Sequence, residues 1–137
     1  MRSRLGFLPF LAAAVAAPAA SQAASETCGG ASAMPTERGV TVIRTGSGHQ
    51  ATIDRSAEAG TLHLEQHGRD HAALAVQSGT NERLVIDQRG ASAEAEVTQA
   101  GTCNATELSQ SGTGNRATVI QSGSNNRAVV HQTPGQE

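Results

Sequence analysis

The run Asn115-Arg116-Ala117-Thr118-Val119-Ile120-Gln121-Ser122-Gly123-Ser124-Asn125-Asn126-Arg127-Ala128-Val129-Val130-His131-Gln132 decides the fold. On an extended backbone, Asn115, Ala117, Val119 and Gln121 share one face, and Arg116, Thr118 and Ile120 share the other. The pattern restarts at Asn126: Asn126, Ala128, Val130 and Gln132 lie inward, and Arg127, Val129 and His131 outward. Alternation by two, broken by a glycine-marked segment, specifies strand, turn, strand.

The same unit extends back along the chain. Gln66, Gln77, Gln88, Gln99, Gln110, Gln121 and Gln132 recur every eleven residues. Two residues after each stand Gly68, Gly79, Gly90, Gly101, Gly112 and Gly123, with Pro134 in the last slot. Counting back by elevens reaches Arg55 and Arg44, and Gly46 follows Arg44, so a degenerate copy opens the array. A fixed short period means one small unit stacked on itself. A hendecad coiled coil has the same period, but it needs apolar residues at helical spacing and tolerates one glycine per repeat poorly. The coiled coil is rejected.

The predicted fold is an all-β solenoid. Each eleven-residue unit supplies a strand of six or seven residues and a tight turn. Two units form a 22-residue rung, with residue i stacked on residue i+22 at about 4.7–4.9 Å. One column then carries Gln66, Gln88, Gln110 and Gln132, and the opposite column Gln77, Gln99 and Gln121. Amides stacked at this spacing donate and accept along the column, which offsets the cost of burying them. Leu62 and Leu64, Leu84 and Ile86, and Ala95 and Val97 point inward. The glycines supply the backbone conformations that a turn demands. Outside, Glu94 lies under Arg116, and Ala105 separates Arg83 from Arg127. Cys103 shares a turn column with Asn81 and Asn125, which predicts an accessible thiol.

Composition narrows the function. The chain has 137 residues, a formal charge of −2, ten Arg and no Lys. Neither nucleic acid nor an acidic membrane surface is suggested as a partner. Phe7 and Phe10 are the only aromatic residues among Phe, Trp and Tyr, so the repeats have no aromatic core. Arg2 and Arg4, the apolar stretch Leu5 to Ala17, and Ser21-Gln22-Ala23 read as a secretory signal peptide over residues 1–23. Residues 24–37 are a Ser-, Ala- and Gly-rich leader, residues 38–132 the solenoid, and residues 133–137 a tail. Cys28 and Cys103 are the two cysteines, and in an exported chain they form either one bridge or two thiols. No zinc-type spacing surrounds them. His63, His67 and His71 are four apart, which on a helix would suggest a metal, but on a strand-turn-strand path they scatter as solvated residues. No catalytic constellation, cofactor or small-molecule substrate is indicated.

The unit Asn-x5-Gln-x-Gly-x2-Asn-x5-Gln, clearest from Asn104 through Gln110, Asn115, Gln121 and Asn126 to Gln132, resembles the curlin repeat of bacterial curli fibres. The resemblance covers about two-thirds of the chain. It implies an extracellular functional amyloid used in adhesion and biofilm matrix, with the ladder residues Asn104, Asn115 and Asn126 and the seven Gln carrying self-assembly. It implies as partners further copies of the chain, related curlin subunits and a dedicated outer-membrane secretion pore, to which the leader directs the subunit. The earlier units depart from the pattern: the Asn slot holds His49, Gly60, His71, Glu82 and Ala93, and Arg44 and Arg55 replace Gln. Inward charge is costly in a dry core, so the N-terminal rungs are expected to be looser.

Open strand edges template further strands unless charge, proline or a cap blocks them. Small inward residues contribute about 1.5–3 kcal/mol each for Val or Leu, against about 1–2 kcal/mol per residue of backbone ordering. The monomer is thus marginal and polymerisation favoured. Rival readings are a minor nucleator or capping subunit, a non-amyloid surface solenoid, and an ice binder; the last is disfavoured because the outward columns mix Arg, Glu, Val, His and Thr.

Overall fold

A computed structural model describes Cys28 and residues 38–133. The predicted signal peptide, the leader apart from Cys28, and the tail beyond Thr133 lie outside the described residues. Nine strands follow one another: β1 (Arg38–Ser47), β2 (Gln50–Arg55), β3 (Gly60–Arg69), β4 (Ala72–Thr80), β5 (Glu82–Ala91), β6 (Glu94–Thr102), β7 (Ala105–Thr113), β8 (Arg116–Ser124) and β9 (Arg127–Gln132). Odd strands form one sheet in the order β1-β3-β5-β7-β9, and even strands a second in the order β2-β4-β6-β8. Every pairing is parallel and offset by one 22-residue rung, as in Gln66↔Gln88 and Gln77↔Gln99. The solenoid therefore has about four turns, with β9 as an additional half-rung.

The core is an apolar slab between the two sheets. Leu62, Leu64, Leu84, Ile86 and Leu108 come from the first sheet, and Ala73, Ala75, Ala95, Val97, Ala117 and Val119 from the second. Large side chains on one sheet thus meet small ones on the other, which lets the rung close around a narrow interior at high packing density. The inward alternation expected from the sequence is the one observed, for instance buried Leu84, Ile86 and Gln88 on β5. At the ends the same inward positions lose their cover. Val40 and Val42 on β1 are exposed, and Ala128 and Val130 on β9 are half-buried.

The strands are longer than six or seven residues. Seven of the nine run nine or ten residues, because the pairing continues through the glycine rather than stopping before it. The glycines bend the strand, with φ of 126° at Gly68, 127° at Gly79 and 126° at Gly101. The tight turn lies two residues further on. There Asp70, Asn81, Ser92, Cys103, Gly114 and Asn125 all take left-handed backbone. Asn, Asp and Gly tolerate that conformation best. The turns also hydrogen-bond from rung to rung, as Ser92 N to Arg69 O (2.9 Å) and Asn125 N to Thr102 O (2.9 Å).

Candidate self-assembly site: two amide ladders and two open ends

Inward alternation and the 22-residue rung bring the predicted glutamines together in two columns. Gln66 Nε2 donates to Gln88 Oε1 (2.9 Å), Gln88 to Gln110 (3.0 Å) and Gln110 to Gln132 (2.8 Å). In the other column Gln77 donates to Gln99 and Gln99 to Gln121, each at 3.0 Å. Both ladders run in one sense, donor toward the C-terminal end.

Most ladder amides also reach across the rung. Gln66, Gln88, Gln99, Gln110 and Gln132 donate to the carbonyls of Gln50, Ala72, Arg83, Glu94 and Arg116 respectively, at the start of the preceding strand. Each such glutamine therefore ties rung to rung and sheet to sheet at once. Thr106 joins one ladder by donating to Gln121 Oε1 (2.7 Å) and accepting from Gln99 Nε2 (3.0 Å). The sequence reading missed that contact, whose signal was a Thr on the inward register.

The Asn residues do not form a side-chain ladder of the same kind. Asn104, Asn115 and Asn126 each donate from Nδ2 to the carbonyl four residues earlier, Ala100, Ser111 and Ser122. They pin the corner of their own rung. Apart from a 3.5 Å contact of Asn104 Nδ2 with Glu82 Oε1, rung-to-rung bonding there involves backbone: Asn104 Nδ2 to Gly123 O (3.0 Å), and Asn126 N to Asn104 Oδ1 (3.2 Å).

Histidine does the same work in two earlier units. His49 Nε2 lies 3.2 Å from Thr45 O, and His71 Nε2 lies 3.0 Å from His67 O, again four residues back. His71 Nδ1 accepts from Ala93 N (3.2 Å), and the His49 and His71 rings stack with centroids 5.2 Å apart. His71 is thus a buried corner residue, not the solvated one expected. His63 and His67 do face out, flanking Glu65, whose carboxyl the His67 bond holds below its usual range. Among the described residues no group of His, Cys, Asp or Glu could hold a metal ion.

Cys103 is another correction. Its place in a turn column with Asn81 and Asn125 suggested an accessible thiol; it is buried and bonded to Cys28, with Cα atoms 5.5 Å apart. The outward pairing of Glu94 with Arg116 is present, Arg116 Nε donating to Oε2 at 2.8 Å. Exposed as it is, that pair contributes at most about 1 kcal/mol.

The departures from the repeat leave traces in the bonding. Gln66 Oε1 and Gln77 Oε1, the acceptor ends of the two ladders, are buried without a partner among the described residues. The residues one rung earlier are Arg44 and Arg55. Arg55 instead donates to the Gly60 carbonyl. Arg55→Gln extends its ladder by one bond, and we expect it to stabilise the folded array by about 0.5–1.5 kcal/mol, read as a higher guanidinium midpoint; a lower midpoint would show that Arg55 holds the 56–59 turn by more than the ladder gains.

Glu82 occupies an Asn slot between Gly60 and Asn104 and is fully buried. Its Oε1 faces Asn104 Nδ2 at 3.5 Å, and Oε2 has no partner among the described residues. Burial pushes its pKa up, and the Asn104 bond only partly opposes this. The folded value lies above the unfolded one, so the carboxylate destabilises the fold at high pH, and that penalty declines as pH falls through the folded value and is gone below the unfolded one. Glu82→Gln is therefore expected to stabilise at pH 7 by about 1–3 kcal/mol and to change little near pH 4. Denaturation at both pH values checks this, and an equal gain at both would contradict it.

The assembled site is a β-solenoid whose two amide ladders and two sheets end, among the described residues, at strands with no further strand paired to their outer edges. Residues 101–133 match the family model of the curlin associated repeat, a structural, non-enzymatic family. The chain folds as a β-solenoid, and the rung geometry of the matched residues continues N-terminal to them as far as β1. No curated protein matches the chain.

Proposed function

We propose that the chain is a secreted subunit of a curli-type extracellular amyloid fibre, growing by addition of copies to the open ends. The observation that carries this reading is the pair of parallel, in-register sheets whose glutamine ladders run to edges with no cap among the described residues. An added copy pairs the free edge N–H and C=O groups and lengthens the ladders, the arrangement that makes cross-β stable. Residues 1–23 direct export, residues 24–37 deliver the chain to an outer-membrane secretion pore, and the fibre serves adhesion and biofilm matrix. Related curlin subunits are candidate co-polymers.

The test is fibre diffraction and seeded dye-binding kinetics on residues 24–137. Reflections near 4.7 and 10 Å with seedable growth are expected. A clear, soluble, unseedable sample would overturn the reading. One observation favours a second reading. Arg44 and Arg55 stand where each ladder needs an amide, which suits a nucleating or end-capping subunit. A cap slows the growth of an orthodox curlin, whereas a subunit is incorporated.

A further inference from the structure

We propose that successive subunits in the fibre are related by a half-turn about the fibre axis, so that β1 of one copy docks on β8 of the copy before it, and β2 docks on β9. The inference rests on the polymer reading above. It follows from a count: the odd strands form a five-stranded sheet and the even strands a four-stranded one. The C-terminal end is therefore a step, with β9 standing half a rung beyond β8. A copy stacked without turning sets β1 on β9 and leaves the nine-residue edge of β8 facing a gap one strand wide. A half-turn sets β1 into that gap as if the solenoid continued.

The inward side chains of the two ends are apolar in either register, Val40 and Val42 meeting Ala117 and Val119 with the turn or Ala128 and Val130 without it. The outward side chains therefore discriminate: they match in the turned register and mismatch in the other. Extending the eleven-residue period by one unit places Val40 and Val42 of the next copy on Ala117 and Val119, inside the core, and Ile43 on Ile120 outside. Ile120 and Ile43 are 74% and 42% exposed in the single chain, and Val40 is 50% exposed. All three find apolar cover or an apolar neighbour. On the other sheet Ile53 lands on Val130, and Asp54 on His131, an acceptor over a donor. Without the turn Ile43 meets His131, and Ile120 meets nothing.

The glycine column gives an independent check. Within the chain a Cβ on Gly79 or Gly101 would lie 1.9 or 2.0 Å from the carbonyl oxygen of the glycine one rung on. Gly123 ends that column, and a Cβ there would meet only Asn126 Nδ2 at 3.7 Å. The half-turn seats Gly46 of the next copy above Gly123 and restores the glycine-on-glycine approach. Without it, Gly46 follows position 134, which is a proline. In the turned register Gln121 meets Arg44 and Gln132 meets Arg55, so each ladder is interrupted once per junction.

Helical reconstruction by electron cryomicroscopy of fibres grown from the unaltered chain, residues 24–137, tests the proposal. Four and a half rungs predict a rise of about 21–22 Å per subunit with a rotation near 180°. A rise of about 24 Å with a rotation near zero would overturn it while leaving the polymer reading intact. Failure to form cross-β fibres would instead remove the polymer reading, and the alternation with it. A second measurement needs no reconstruction. Copies carrying Ile120→Cys are co-assembled with copies carrying Ile43→Cys, oxidised and peptide-mapped; a 120–43 cross-link is expected. A 131–43 cross-link from His131→Cys in place of Ile120→Cys, with none at 120–43, would reject the half-turn.

Discussion

Gly79→Ala is expected to abolish seeded fibre growth under conditions where the unaltered chain polymerises. Gly79 has φ of 127°, a backbone that L side chains rarely adopt, and a Cβ there would lie 1.9 Å from the Gly101 carbonyl oxygen. The contact is with backbone that is itself paired to the following rung, so no rotamer change relieves it. Strain and lost pairing together cost at least about 3 kcal/mol, which is comparable with the margin a small solenoid has. Gly114→Ala is the control. Gly114 also has positive φ, at 70°, yet nothing lies within 4 Å of the added methyl, and Asp, Asn, Ser and Cys stand at the equivalent position in other units. Its cost is about 1–2 kcal/mol. Growth lost equally in both variants would show that backbone conformation, and not the close approach of rungs, is what the bend glycines secure.

Gln88→Ala is the second large effect. Gln88 is fully buried, accepts from Gln66, and donates to Gln110 and to the Ala72 carbonyl. Its removal leaves Gln110 Oε1 and the Ala72 oxygen without that donor and opens a cavity between the sheets. The expected loss is roughly 3 kcal/mol or more, measured as the fall in the guanidinium midpoint of fibre dissolution. Gln132→Ala, at the end of the same ladder where the amide keeps the Gln110 and Arg116 contacts but has no further Gln to donate to, should lower the same midpoint by less than half as much. Equal losses at the two positions would mean that the ladder is not cooperative and that each amide acts only locally.

These variants could be chosen because much of the site is legible in one line of sequence. Spacing alone placed the seven glutamines, the rung and the inward register of Leu84, Ile86, Ala95 and Val97. A period is a global property that survives local irregularity, which is why it read through units as degenerate as the one around Arg44. What it did not disclose was local stereochemistry. The glycine two residues after each Gln looked like the turn, while the left-handed residue is two further on; the column Asp70, Asn81, Ser92, Cys103, Gly114 and Asn125 carried that signal in its small polar residues and glycine. His71 looked like a departure from Asn, but an imidazole N–H reaches the same carbonyl as a carboxamide. The pairing of Cys28 with Cys103 was open because residues 75 apart in sequence share no period.

That last link divides the molecule in a way the repeats conceal. The Cys28–Cys103 bond closes a covalent ring that contains β1 to β6 and leaves β7, β8 and β9 as a free arm. A single proteolytic nick anywhere inside the ring leaves one molecule still joined, whereas a nick beyond Cys103 releases a fragment. Once oxidised, the six strands of the ring therefore outlast a cut that would sever an ordinary linear chain, and the three strands of the arm, which carry the units nearest to consensus, are the part of the molecule exposed to loss by scission.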